Sequence, residues 1–311
     1  MSFDLYFCWN KNERIDFRLV VDWAERFGCF RHEKNQLWYQ NEETGVYFSL
    51  DYDPELPADP EEARVPPEVF DTGLSFNLNY NRPSYFALEA MPAVENLCGR
   101  FGLSVFDPQA RDGKSLRSAV DVNASALIES WRPSNLWAIG ALMDQSKEPN
   151  VSFMSSGKAL YMWKYLRARK RLQDVCGEEV FVPKLVPISH AGTTVDTGFV
   201  CTQGIPTLLP VSDWVIVVRE KKNSLFGAND GEKDVGVLAR RTFNEVVGRH
   251  FEKFEGEEFV AQIIGPESVQ DVARVLKSVE HIMDRNEFKI AAYDSFVDVD
   301  RSDLATHKSL T

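Results

Sequence analysis

The sequence predicts an α+β protein with a ferredoxin-like N-terminal sandwich of two βα units, followed by a second mixed α/β domain. Three observations lead to this fold class. Two N-terminal segments each have the pattern of a strand followed by a helix, and both helices end on the same triplet, Arg26-Phe27-Gly28 and Arg100-Phe101-Gly102. Residues 74–80 alternate between apolar and polar side chains, which indicates a half-buried strand. In the second half, apolar strands alternate with amphipathic helical segments.

The first βα unit begins with the apolar and aromatic segment Phe3–Trp9, which we predict to be a strand. Helical spacing of apolar residues follows, and Gly28 comes directly after the last of them. These residues are Leu19, Val20, Trp23, Ala24 and Phe27. A hairpin over residues 37–52 is then predicted from two apolar runs that flank a short loop ending in Gly45.

The second βα unit is built on the alternating strand Leu74–Tyr80. Its helix shows apolar residues at positions i, i+3, i+4 and i+7, namely Val94, Leu97, Cys98 and Phe101. Ser84 suits an N-cap, Gly102 suits a left-handed C-cap, and Pro92 either starts the helix or kinks it. Because each helix has one apolar stripe to bury, we expect both helices to pack side by side on one face of the sheet.

The predicted domain division has four parts. Residues 1–108 form the ferredoxin-like domain, 109–177 a linker and helical segment, 178–300 the mixed α/β domain, and 301–311 a disordered tail. Residues 53–70 are rich in prolines and carboxylates, which predicts an exposed, extended loop. In the later part, residues 214–218 are predicted to form a buried strand and residues 235–254 a helix.

Composition and charge restrict the class of protein. The chain has 311 residues, a formal net charge of −12 and an isoelectric point near 5.0. This acidity argues against non-specific binding of nucleic acid, which needs a basic surface. No apolar run approaches the roughly 20 residues that cross a bilayer, and the opening residues lack a secretory signal. The five cysteines are scattered without a CxxC pair, so we expect reduced thiols and a cytoplasmic location, away from membranes.

One stretch carries residue types suited to nucleophilic catalysis. His190, Asp196 and Cys201 lie within a loop-rich segment, and a Cys-His-Asp site needs these groups within hydrogen-bond reach of one another. Nearness in sequence does not supply that geometry. These three residues are therefore the candidates for a hydrolase, and the sequence otherwise indicates that the protein is not an enzyme.

No metal site or cofactor is predicted. The histidines show no metal-ligand spacing, and no carboxylate-histidine cluster stands out. The segment Asp112-Gly113-Lys114-Ser115 ends like a phosphate-binding loop, but Pro108 stands where such a loop needs its first glycine.

A polar and aromatic surface is the candidate binding site. Asn77 and Asn79 alternate with the apolar residues of the predicted strand, so their side chains belong to its other face. Asn81, Arg82 and Tyr85 follow directly, and mixed amide and aromatic surfaces suit recognition of a partner or a ligand.

The opening residues MSFDLYFCWN, with a helix and a hairpin after them, resemble the first strand of uncharacterised bacterial proteins, several of which are similar to immunity proteins that neutralise toxins. The resemblance covers about ten residues and transfers no functional residue. It implies a cytosolic, non-catalytic bacterial binding protein that neutralises a basic protein partner. The alternative is the hydrolase based on residues 190–201, and the oligomeric state is left open.

Overall fold

The computed structural model describes residues 1–11, 13–55, 63–110, 115–145, 151–190, 192–220, 233–254, 259–281, 283–284 and 287–299. The chain forms two compact units: one consists of Met1–Val151 and the segment that begins at Phe296, the other of Ser152–Ser295. The boundary after Val151 falls inside the predicted linker and helical segment. The predicted tail 301–311 and residues 111–114 of the phosphate-loop-like segment lie outside the described residues.

The first unit contains both helices and strands, which confirms the α+β class. In chain order its elements are β1 (Ser2–Trp9), α1 (Phe17–Phe27), β2 (Phe30–Glu33), β3 (Gln36–Gln40), β4 (Tyr47–Tyr52), β5 (Phe70–Asn79), α2 (Tyr85–Phe101), β6 (Ser104–Phe106), β7 (Leu116–Arg117) and α3 (Ala124–Gln145).

The strands of this unit form one sheet. Within the described residues it has seven strands in the order β2-β3-β4-β5-β1-β6-β7, with every neighbouring pair antiparallel. Phe3 pairs with Leu78 and Leu5 with Phe76 across β1 and β5. The predicted strands Phe3–Trp9 and Leu74–Tyr80 therefore do lie together at the centre of the sheet, and β3 and β4 form the predicted hairpin on one side of them.

The two faces of the sheet differ as the alternation predicts. Leu74, Phe76 and Leu78 are fully buried, whereas Asn77 and Asn79, which alternate with them, stay partly exposed. The two helices meet on the buried side, because the Trp23 indole nitrogen of α1 donates to the Asn96 side chain of α2, 2.7 Å away. The other side, which we call the polar face, carries the side chains that point away from α1 and α2.

Helix α2 begins at Tyr85 and continues through Pro92, so the proline neither starts nor ends it. Its N-cap is Ser84, whose backbone N–H and hydroxyl both donate to the Asp298 carboxylate at 2.7 and 2.9 Å. Burial raises the pKa of Asp298 above its ordinary value, and these two hydrogen bonds only partly offset that effect. The chain thus returns from the second unit to complete the start of α2.

The second unit has its own set of elements. They are β8 (Ser152–Phe153), α4 (Ser156–Cys176), β9 (Leu185–Ser189), β10 (Val195–Thr202), β11 (Thr207–Pro210), β12 (Trp214–Glu220), β13 (Lys233–Ala239), α5 (Arg240–Val247), a 3-10 turn (Gly248–His250), β14 (Glu252–Lys253), β15 (Val260–Ile264), α6 (Val269–Leu276), β16 (Met283–Asp284) and β17 (Lys289–Ile290). The last strand among the described residues, β18 (Phe296–Val297), belongs to the first unit.

The main sheet of the second unit mixes strand directions. In the part of the chain that the structure describes, its order is β16-β13-β12-β10-β9-β17, and β10 and β12 run parallel while the other pairs are antiparallel. The predicted helix over 235–254 is wrong in its first part, because residues up to Ala239 pair with β12 along its whole length. Helix α5 starts at Arg240, directly after β13, and no turn residue in the sequence marks the change from strand to helix.

Candidate functional site

Only two of the three hydrolase candidates lie close together. His190 Nε2 lies 3.4 Å from the Asp196 carboxylate, so these two residues are neighbours. Cys201 stands five positions beyond Asp196 on the same strand β10, about 16 Å along it, and an odd separation places the two side chains on opposite faces. The Cys-His-Asp arrangement that the sequence left open is therefore not formed.

The environment of Cys201 also opposes its use as a nucleophile. Its side chain is buried, and burial raises the pKa of the thiol to about 12. Only the thiolate attacks a substrate, and a catalytic cysteine usually sits in a partly exposed, electropositive setting that lowers the pKa. Cys201 is instead a small apolar residue of the core.

Asp196 takes part in an ionic cluster. The Lys158 ammonium from α4 lies 2.7 Å from one oxygen of Asp196 and 2.7 Å from one of Asp213, and the Trp214 indole donates to Asp196 at 3.2 Å. Burial alone would raise the pKa of Asp196, but hydrogen bonds from Lys158, Trp214 and His190 outweigh it and hold the pKa below its ordinary value.

The same cluster acts on Lys158 in the opposite sense. Burial alone would lower the pKa of Lys158, yet its hydrogen bonds to Asp196 and Asp213 outweigh that effect and raise the pKa. A lysine with a raised pKa stays protonated and does not act as a base or nucleophile. The cluster is thus suited to holding the start of α4 against β10. Its members are far apart in the chain, which explains why neither Lys158 nor Asp213 was predicted from the sequence.

The predicted binding residues fall into two groups. Asn77 and Asn79 lie on the polar face, where the Asn77 amide donates to the Asp4 carboxylate of β1 at 2.5 Å. Asn81 lies just beyond the strand with a left-handed φ of 60°, and its backbone N–H donates to the side chain of Asn135 in α3. Asn81 therefore positions the turn that leads into α2.

Arg82 and Tyr85 have different roles from each other. The Arg82 guanidinium lies over the ring of Tyr47 at 5.6 Å and donates to the Tyr47 hydroxyl at 2.6 and 3.0 Å. Tyr85 is only 1% exposed and packs beside Phe86 and Phe296 in the core. The prediction of Tyr85 as a surface binding residue is wrong, because its side chain is buried in the core at the start of helix α2.

The structure adds an aromatic pair that the sequence analysis missed. On the polar face, the ring of Trp38 in β3 stacks on the ring of Tyr47 in β4 at 5.5 Å, and the Arg82 guanidinium donates to the Tyr47 hydroxyl. Both rings stay partly exposed, whereas Leu37 and Tyr39 on either side of Trp38 are buried. The alternation of the hairpin strands was the signal that would have placed Trp38 on the outer face.

A cavity of about 370 Å³ lies at the end of the polar face, where β3 and β4 meet Arg64. Its lining is mainly polar and charged: Glu33, Lys34, Asn35, Gln36, Asp51, Tyr52, Asp53, Arg64 and Ser75. Asp51 accepts from the Gln36 amide at 2.5 Å and from the Ser49 hydroxyl at 2.8 Å. The carboxylate is thereby fixed on the polar face.

The described residues offer neither a metal site nor a membrane-spanning helix. Within the described ranges, no group of three or more His, Cys, Asp and Glu side chains is placed to hold a metal ion. None of the described helices combines the length and the apolar character needed to span a bilayer. No protein-family model matches the chain, and neither the curated proteins nor the solved structures contain a match to it.

Proposed function

We propose that the protein is a cytosolic, non-catalytic binding protein, and that its polar face binds a basic protein partner. The observation that carries this proposal is the stacked pair of Trp38 and Tyr47 on the polar face, with Arg82 hydrogen-bonded to the Tyr47 hydroxyl. Trp, Tyr and Arg are the residue types most enriched among the side chains that dominate binding energy at protein interfaces. Here all three are held in one rigid group, which lowers the entropy lost on binding.

Charge supports a basic partner. The chain has a net charge of −12, and the polar face carries Asp4 and Asp51 beside the exposed Asp53. Complementary charge speeds the association of two proteins and discriminates against partners of the same sign. An immunity-type protein of a bacterium, which neutralises a basic toxin, is the form of this function that the opening strand MSFDLYF suggests.

A hydrolase remains the weaker proposal. His190 and Asp196 are in contact, but Cys201 is buried on the other face of β10 and stays protonated. A hydrolase would need another nucleophile beside His190.

We also propose that the central strands of the first unit form a ferredoxin-like arrangement. The order β4-β5-β1-β6 supports it, since the connection through α1 joins two parallel strands that flank β5, and the connection through α2 joins two that flank β1. Strands β2, β3 and β7 are additions at the two edges. An experimental structure would test this arrangement directly.

The binding proposal is tested by affinity capture from a lysate of the native cell, followed by titration calorimetry with the partner so identified. We expect a basic protein whose affinity falls with salt, and a loss of about 30-fold or more in the Trp38→Ala variant, which is the size of a binding hot spot. Trp137→Ala is the matched control, because Trp137 is an exposed tryptophan of α3, 44% accessible. Failure to capture a partner, or equal binding by both variants, would contradict the proposal.

A further inference from the structure

The cavity beside the polar face has a size and a charge that restrict what it can hold. Its volume of about 370 Å³ falls within the roughly 300–1,000 Å³ of typical ligand pockets. Three carboxylates line it, those of Glu33, Asp51 and Asp53, against the two cations Lys34 and Arg64.

Arg64 does not neutralise these carboxylates fully. Its Nε lies 3.0 Å from the buried carboxylate of Asp71, and its guanidinium lies over the ring of Tyr6 at 5.5 Å, whereas its nearest contact with Asp53 is 3.9 Å. Asp71 is therefore the closest ion-pair partner of Arg64. Lys34 is exposed, which leaves its charge well screened by water.

Arg64 also has an unused donor. Its Nη2 is buried and has no hydrogen-bond acceptor among the described residues. An atom without accessible surface cannot be reached by a ligand in the cavity, so this donor does not contribute to binding there. The charged groups that favour a ligand are therefore the carboxylates of the lining, which attract a cation.

Building on the proposed binding of a basic protein, we infer that this cavity receives a lysine or arginine residue of the partner. The cationic head of that residue faces Asp51 and Asp53. Gln36, whose amide donates to Asp51, lines the cavity beside them. Trp38 and Tyr47 then contact neighbouring parts of the partner.

The test uses the full chain and a small probe, so it does not need the partner. Nα-acetyl-arginine N-methylamide carries both the cation and the peptide carbonyls, and its binding is followed by NMR through the backbone signals of residues 35, 36, 51, 53 and 75. We expect saturable shifts at these residues that weaken with salt. The uncharged citrulline analogue and the blocked glutamate analogue should give no saturable shifts.

Charge variants test whether negative charge in the cavity strengthens binding of the arginine probe. Asp53→Asn should weaken probe binding by about two- to fivefold, as expected for an exposed ion pair. Lys34→Asn should strengthen it by a similar factor, because it removes a competing cation, and asparagine tolerates the left-handed φ of 52° at this position. Glu42→Gln is the control, since Glu42 is an exposed carboxylate outside the cavity, 76% accessible.

Three results would overturn the inference: no shift at the cavity residues, equal binding of the citrulline analogue, or tighter binding of the glutamate analogue. A partner that binds through Trp38 while the cavity ignores the arginine probe would leave the proposed function standing and remove only this inference. Saturable arginine binding without any captured partner would support the cavity's ligand class and count against the proposed function.

Discussion

Removing the hydroxyl of Tyr39 should loosen the hairpin that carries Trp38 and Tyr47. The Tyr39 hydroxyl donates to the buried carboxylate of Glu89 in α2 at 2.9 Å. The same carboxylate oxygen accepts from the side chains of Asn41 at 2.7 Å and Thr44 at 3.1 Å, in the loop between β3 and β4. A single buried carboxylate therefore ties both strand and loop to α2.

The expected cost of Tyr39→Phe follows from these contacts. A hydrogen bond to a charged group contributes about 1.5–3 kcal/mol, and phenylalanine keeps the shape of the ring and its stacking on Phe48 at 4.4 Å. Burial, together with the nearby Glu89 charge, raises the pKa of Tyr39, so the hydroxyl is a donor throughout the usual pH range. We expect urea denaturation to show this loss, and hydrogen exchange of the Gly45 amide to quicken by about tenfold or more.

Tyr52→Phe is the matched control. The Tyr52 hydroxyl donates to the backbone carbonyl of Ile15 at 3.3 Å, a long bond to a neutral acceptor. Its loss should cost about 0.5–1.5 kcal/mol and leave exchange of the Gly45 amide unchanged. If Tyr39→Phe costs no more than Tyr52→Phe, the Glu89 network does not hold the hairpin and this reasoning is refuted.

Three further predictions concern the two units. Gly73→Ala should destabilise the first unit by more than about 1–2 kcal/mol in a urea titration, because φ is 84° and an added Cβ would lie 2.4 Å from the Asp53 carbonyl; wild-type stability would contradict this. Asp196→Asn should be destabilising at pH 7, where the lowered pKa contributes stability, and the difference from wild type should shrink progressively as the pH falls below about 4 and through the lowered pKa of Asp196; a gap that stays constant down to strongly acidic pH would rule out this linkage. Cys201 should resist a thiol reagent at pH 8 while exposed Cys29 reacts, and rapid labelling of Cys201 in the native protein would refute its burial.

Patterns that depend on near neighbours in the chain were predicted well. The period-two alternation of residues 74–80 gave both the strand and its buried face, and helical spacing gave the buried stripe Val94, Leu97 and Cys98 of α2. Gly102 caps α2 in the left-handed conformation, as expected of a residue without Cβ. These features follow from local geometry. Helical spacing also predicted a buried Phe101, but this residue is only partly buried, because it lies at the end of the apolar stripe.

Features that depend on distant contacts were not predictable. The N-cap of α2 is completed by Asp298, and Asp196 is matched by Lys158, both far away in sequence. Tyr85 lies three residues after Arg82, a predicted surface residue, yet its side chain is buried in the core at the start of helix α2. Sequence nearness suggested a site at residues 190–201, but strand geometry separates Cys201 from Asp196 because their side chains alternate across β10.

The buried polar contacts of the first unit bear on its proposed function. Trp38 and Tyr47 lie on the two strands of a hairpin, and an isolated hairpin is marginally stable in water. Glu89 fixes the loop of this hairpin to α2, and α2 is itself capped by Asp298. The aromatic pair is therefore presented by a hairpin that is tied to the core, as a preorganised binding face requires. For this reason Tyr39→Phe should weaken partner binding without touching the polar face.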